Sequence, residues 1–199
     1  MNARFAPLVA LLVALGCGSP DPKNTQAGFK SGFEMEMRSV IQLNASPVDN
    51  DHTAFLTAVD NEITNCLETE GDAIVNESLK QFDDEGEKEQ TKIPRENVEY
   101  QLESFSVKVE DDAATRKLFE GRGTHFRFTL RRAKARIVPE PMRIEVVVSC
   151  IERSWAPGDT LRYPQIFRSR VISHLNRRVF NLARDAKLDP VEPKTPRTE

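Results

Sequence analysis

Met142, Ile144, Val146, Val148 and Cys150 occupy alternate positions, with Arg143, Glu145, Val147 and Ser149 between them. A period of two marks a half-buried strand, because successive side chains leave a pleated backbone on opposite faces. A chain holding such a strand must also supply partner strands and a layer to cover its apolar face. Phe33, Met35, Met37, Ile41 and Leu43 alternate in the same way with Glu34, Glu36, Arg38 and Gln42. Two further runs alternate and then slip by one residue. Val98, Tyr100 and Leu102 pass to Phe105, Val107 and Val109, and Phe126, Phe128 and Leu130 pass to Ala133, Ala135 and Ile137. A one-residue slip swaps faces unless a bulge or strong twist absorbs it. The spacing predicts irregularities at both slips, facing each other if these strands pair through the Asp111 to Gly123 connection.

Elsewhere the period is helical. After a Ser46-Pro47 break and the capping-type residues Asn50 and Asp51, Phe55, Val59, Ile63, Cys66 and Leu67 share one helical face. Ala73, Ile74, Ser78, Leu79 and Phe82 suggest a second helix or an extension beyond Gly71, and Asp83 to Glu89 reads as an acidic loop. Phe167, Val171, Leu175, Val179 and Leu182 mark a long closing helix, preceded by a turn-rich loop from Trp155 to Asp159 in which Trp155 is either a lid over one end of the sheet or an interface aromatic. Within Thr115 to Glu120, Leu118 and Phe119 either tuck inward as a short helix or form a docking tip. Strands following in quick succession favour an antiparallel meander over a βαβ unit. The expected fold is therefore α+β, a two-layer sandwich in the order β-α-β-β-β-α. Its four-stranded, mostly antiparallel sheet carries two main helices on one face.

The first residues read differently. Arg4, the apolar run from Phe5 to Leu15 and the small residue Gly16 form an export signal over 1–16. The run is too short to cross hydrocarbon, which takes about 20 apolar residues. Ala14-Leu15-Gly16-Cys17 resembles the lipobox of bacterial lipoproteins, which ends in a small residue and then Cys. Ala14 stands where Leu is usual, and Leu15 is bulky for its place. The resemblance implies a mature chain that begins at Cys17 and carries a covalent lipid, its diacylglyceryl and acyl (palmitate-type) chains, with no other cofactor. Gly18 in place of Asp implies sorting to the outer membrane, facing the periplasm. Residues 17–32 read as a polar tether reaching about 20 Å, 33–188 as one domain able to bury a core, and 189–199 as a disordered tail.

From Arg122 onward 17 Lys and Arg stand against 8 Asp and Glu, a net +9; before it 11 stand against 23, a net −12. Such a split either neutralises itself inside the fold or presents a basic surface to anions. Arg127, Arg131, Arg132, Lys134 and Arg136 are the candidate anion-binding residues, joined by Arg168, Arg170, Arg177, Arg178 and Arg184 on the closing helix. Export argues against nucleic acid and leaves lipid phosphates and acidic envelope polymers. The alternative is pairing with Glu99, Glu103, Glu145 and the acidic first helix. With Cys17 used by lipid, Cys66 and Cys150 are expected to bridge in an oxidising compartment, a loop closure that stabilises by about 4 to 5 kcal/mol. The alternative is two buried free thiols.

No Gly-x-Ser-x-Gly, His-Glu-x-x-His or Gly-rich phosphate loop occurs. His52, His125 and His174 lack metal-ligand spacing. Asp49-Asn50-Asp51-His52-Thr53 echoes the start of a calcium loop, but Ala54 takes the glycine position and helix capping accounts for it. No catalytic or metal residue is assigned. An enzyme would need a site assembled by the fold, such as Cys150 with His125 or His174. Two classes remain: a non-enzymatic lipoprotein that binds an envelope protein or anionic lipid in assembly or transport, and an envelope hydrolase or transferase. The element order resembles that of the lipopolysaccharide-assembly lipoprotein that plugs a barrel translocon, and of auxiliary lipoproteins of lipid transporters. That resemblance implies a barrel or transporter partner; no functional residue of either family maps onto this chain.

Overall fold

The computed structural model describes residues 28–45, 52–86, 91–103, 112–131 and 133–192. In chain order the elements are β1 (Gly28–Gln42), α1 (His52–Thr69), α2 (Gly71–Glu85), β2 (Val98–Glu103), α3 (Asp112–Phe119), β3 (His125–Arg131), β4 (Lys134–Pro139), β5 (Met142–Ala156) and α4 (Tyr163–Asp185). One five-stranded sheet runs β1-β5-β3-β2, with β4 also paired to β5. The alternating strand at 142–150 is its centre. On one side β5 pairs antiparallel with β1 over nearly its whole length, and on the other with β4 and then β3, end to end.

The α+β class holds, but the four-stranded antiparallel meander does not. β2 and β3 pair in parallel from Val98–Phe126 to Glu103–Arg131. A parallel pair needs a crossover, and α3 lies in it. The run read as one slipping strand is two strands, β3 and β4. Leu130 pairs with Cys150 and Lys134 with Val147, so the chain passes one more residue than β5 between these rungs. That extra residue absorbs the slip. The matching slip after Leu102 lies outside the described residues, as do the capping residues Asn50 and Asp51. A second bulge, between Lys30 and Phe33 of β1, sets two residues against Arg153. Gly32 sits there because a Cβ would lie 2.9 Å from Arg153 Nε.

Three helices rather than two cover the apolar face. The stripe read from sequence on α1 is the buried one, Phe55 through Leu67, and Phe167, Val171, Leu175 and Val179 of α4 pack onto Phe128, Val146 and their neighbours. Phe128 stacks on Phe167 with ring centroids 3.9 Å apart. α2 is separate from α1: the chain bends at Glu70, and Gly71 lies under the Tyr100 ring, where a Cβ would be 2.4 Å from Cε1. α3 covers the opposite face of the sheet. Its Phe119 is fully buried against Phe29 and His125, while Leu118 points out, so one of the pair tucks inward and the other does not. Trp155 belongs to β5 itself, half-buried on that outer face, rather than to a loop.

The ordered domain is longer at both ends than the alternation suggested. β1 opens at Gly28, inside the stretch read as tether. After α4, the backbone of Leu188 to Val191 bonds to the end of β1: Ala45 N–H donates to Leu188 O at 3.2 Å and Val191 N–H to Gln42 O at 2.9 Å. Cys66 and Cys150 are free, buried thiols, not a bridge. One sits on a helix and the other on the central strand, and a bridge requires Cα atoms within about 7 Å. Burial pushes each thiol up to about 12.

Two measurements check this packing. Thiol titration without reductant should find Cys66 and Cys150 unreactive in the native protein and both reactive in denaturant. Gly71→Ala gains helix propensity but drives a methyl into Tyr100, whose hydroxyl donates to Leu67 O at 2.6 Å. It should lower stability in urea by about 1–3 kcal/mol.

Candidate functional site

Among the described residues, β1 is paired with a strand on one side only. Its other edge offers a row of N–H and C=O groups. α4 runs beside that edge, tied to it where Ser39 Oγ donates to Asn176 Oδ1 and where Arg168 Nη1 lies 3.7 Å from the Met35 sulfur. Between the strand edge and α4 opens a groove of about 1180 Å³. Val40, Ile172, Phe180 and Val191 supply its apolar lining, and Gln42, Ser173 and Asn176 its amides and hydroxyl. Arg38, Arg168 and Arg177 outnumber Glu192 among its charges. Val40 and Val191 are 43% and 39% exposed, two of the three large exposed apolar side chains among the described residues. Leu188 to Val191 already lies against the last rungs of this edge, so the edge accepts an antiparallel partner.

Of the groove residues, sequence reasoning singled out Arg168 and Arg177 as part of the basic closing helix, but not the apolar ones, although their signals are present. Val40 breaks the alternation of β1 by placing an apolar side chain beside Ile41. Ile172 and Phe180, eight positions apart, form a second apolar line on α4, off the buried stripe.

The candidate anion-binding residues lie together on the opposite face of the sheet. Arg127 and Arg131 are odd-numbered residues of β3, Lys134 and Arg136 even-numbered residues of β4, and the bulge between the strands brings all four to the side away from α1, α2 and α4. Arg132 lies outside the described residues. Three of the four are engaged: Arg127 Nε donates to Glu99 at 2.6 Å, Arg131 Nη1 to Glu34 at 3.1 Å and Arg136 Nε to Glu145 at 2.8 Å. Lys134 is exposed. Hydrogen bonds from Arg143 and Arg136 hold the Glu145 carboxyl below the usual carboxylate range. Two of these pairs, Arg127 with Glu99 and Arg131 with Glu34, join the acidic and basic halves of the chain strand against strand.

They also meet helix against helix. At the bend between α1 and α2, Glu70 accepts from Arg178 Nε at 2.7 Å, from Arg177 Nη2 at 3.0 Å and from His174 Nδ1, all on α4. His174 Nε2 reaches Glu77 at 3.0 Å, and Arg178 Nη1 reaches Glu62 at 3.1 Å. Burial pushes the Glu70 carboxyl up, but the bonds from His174 and Arg178 outweigh it and hold it at about 2. Arg168 and Arg170 pair with Glu152 and Glu77, and Arg184 with its neighbour Asp185. His174 is occupied on both ring nitrogens. Cys150 faces the helices and His125 the opposite side of the sheet, so those two do not form a site. No group of three or more His, Cys, Asp or Glu among the described residues is arranged to hold a metal ion.

No protein-family model, no curated protein and no solved structure matches this chain.

Glu70 gives the acid limb of stability. Its folded carboxyl lies near 2 against an ordinary value of 4.5, so its contribution is complete above pH 4.5 and is lost as pH falls through 2. Glu70→Gln keeps an acceptor oxygen but removes the negative charge that Arg177 and Arg178 share, and should cost about 3 kcal/mol at neutral pH. The loss relative to the unmutated chain should shrink between pH 4.5 and 2 in urea unfolding.

Proposed function

We propose that the protein is a lipid-anchored lipoprotein of the cell envelope, held at the outer membrane through Cys17 and facing the periplasm. In this reading it acts by binding, not catalysis, and receives an extended segment of an envelope protein along the free edge of β1. The observation that carries this is the edge itself, with a groove beside it and Leu188 to Val191 already paired to its far end. Main-chain bonds to an edge give affinity, and alternate side chains entering a groove give selectivity. Arg38, Arg168 and Arg177 at the groove are each paired already, with Glu36, Glu152 and Glu70, so selectivity in this reading rests on the apolar lining of Val40, Ile172, Phe180 and Val191. Cys17 lies outside the described residues, and no helix among those described is long and apolar enough to cross a membrane. Attachment in this reading belongs to the lipid chains, two or more of which hold a protein stably. The resemblance to assembly and transporter lipoproteins supports a barrel or transporter partner only through element order, and the order found here, with α2 and α3 added, departs from it.

Fractionation tests the anchor and crosslinking tests the groove. Cys17→Ala should move the protein from the membrane to the soluble fraction; retention in the membrane refutes the lipid anchor. A photo-crosslinker at Ser173, in the groove, should capture a defined envelope protein, whereas one at exposed Lys80 on α2 should not. Ile172→Glu should abolish the Ser173 adduct. Identical adducts from both positions would defeat the groove reading, and turnover of an envelope substrate without a protein partner would favour a hydrolase or transferase.

A further inference from the structure

The backbone after α4 has already started along the open edge of β1, and its register fixes where the next residues would fall. Asn44 N–H donates to Asp189 O at 3.1 Å and Val191 N–H to Gln42 O at 2.9 Å, with Leu43 and Pro190 bridged antiparallel between them. The chain therefore runs back along β1 toward its start. Leu43 N–H points the other way, donating to Met142 O of β5 at 2.9 Å. By the period of two, even-numbered residues of β1 offer their backbone groups to the open edge and odd-numbered ones bond to β5. Val191 and Glu192 both line the groove beside α4, so the chain is directed into it.

Continued in this register, Pro193 falls opposite Val40, Thr195 opposite Arg38, Arg197 opposite Glu36 and Glu199 opposite Glu34. The edge is unbroken over that length, because the bulge of β1 comes before Phe33. Hydrogen-bonded rungs would fall at the odd-numbered residues of the segment. Pro196 would then turn its missing N–H to solvent, where an edge strand tolerates proline. Pro193 sits on a rung, accepts from Val40 N–H and gives nothing back, a loss of one bond; its ring would cover Val40, which is 43% exposed. Arg197 would stand beside Glu36, an exposed carboxylate now shared only with Arg38. Glu199 would face Glu34, which Arg131 holds. On the α4 side Lys194 would follow Glu192, and Arg168 and Arg177 there are paired with Glu152 and Glu70.

We propose that residues 193–199 continue the Leu188 to Val191 pairing as an added strand on β1, an intrachain strap that fills the groove and that an outside segment must displace. A segment joined to rungs already made competes at an effective concentration on the order of millimolar. An outside segment has no such attachment and enters only by binding the edge better than the strap does. The groove is thereby closed to weak partners. The strap stands without any partner; only its displacement rests on the partner proposed above.

Amide exchange resolved by ¹⁵N resonances, in the full chain and in a form ending at Glu192, tests the strap. In the full chain the N–H groups of Glu36, Arg38 and Val40 should exchange about tenfold or more slowly than in the shortened form. Those of Met37, Ser39 and Ile41, bonded to β5, should exchange alike in both, an alternation that a general gain in stability would not produce. Thr195→Pro deletes a rung donor and should release Glu36 and Arg38, whereas Lys194→Pro, at an outward N–H, should not. With the alternation present, more Ser173 adduct in the shortened form supports displacement by a partner, and an unchanged adduct refutes the partner while leaving the strap. The strap is overturned if the even-numbered amides exchange alike in the two forms. It is also overturned if their protection survives shortening and rises with protein concentration, which assigns the edge to a second copy of the chain.

Discussion

The regular alternation of β5 governs the rest of the molecule. Met142–Ala156 is hydrogen-bonded on both sides for most of its length, so every neighbour must keep phase with it or show where it does not. Two neighbours fall out of phase, and each adds one residue to recover: β1 between Lys30 and Phe33, and the β3–β4 line between Leu130 and Lys134. A bulge re-aims the side chains that follow it. Because of these two, Met35, Met37 and Ile41 of β1 and Ala135 and Ile137 of β4 meet the helices, while the charged residues between them face away. The one acid on the helix-facing side of β5 is Glu152, 2% exposed. Burial pushes it up, against the pull of Arg168, which reaches it from α4 at 2.9 Å.

Charge follows from the same topology. The acidic first half supplies α1, α2, β1 and β2, and the basic second half supplies α4, β3, β4 and β5, so every layer joins one half to the other. Glu34 with Arg131 and Glu85 with Arg162 are partly exposed pairs, worth about 0–1 kcal/mol each. Glu70 is different in kind. Its side chain is 14% exposed and gathers two arginines and a histidine at the one-residue bend between two helices. The bend and the α4 contact therefore hold each other in place: without α4 the carboxylate would stay in water, and without the bend it would not reach.

The elements whose evidence is local were legible in the chain. The stripes of α1 and α4 and the alternations of β1 and β5 report side chains that face one way, and burial follows them. Strand direction is not written in a period of two, and α3 offers only eight residues with one fully buried apolar side chain, too little for its crossover to be seen. The end of α1 was ambiguous because Gly71 is required by Tyr100, a residue of β2 distant in sequence. Cys66 and Cys150 were correctly placed on apolar faces, but a face is not a distance, and the pair remains unbridged. The outer-face arginines were legible as a group because adjacent strands carry them; their carboxylate partners on β1, β2 and β5 were legible only in part, Glu99 and Glu145 by strand proximity and Glu34 not at all.

β1 borders both the groove beside α4 and the buried cluster around Arg153, and its bulge separates them. On the N-terminal side, Gly28 to Lys30 is in one phase with β5, and Phe29 turns toward α3 and the Arg153 cluster. From Phe33 to Gln42 the register with β5 is unbroken, and this is the length that runs beside α4. A bulge in an edge strand raises the local twist and interrupts further pairing. An added strand would therefore find continuous rungs only after the bulge, where Arg38, Val40 and Gln42 line the groove. It would stop short of Gly32, whose neighbourhood is already filled by the Arg153 side chain. The glycine that lets a guanidinium lie on the sheet thus also marks where the open edge begins.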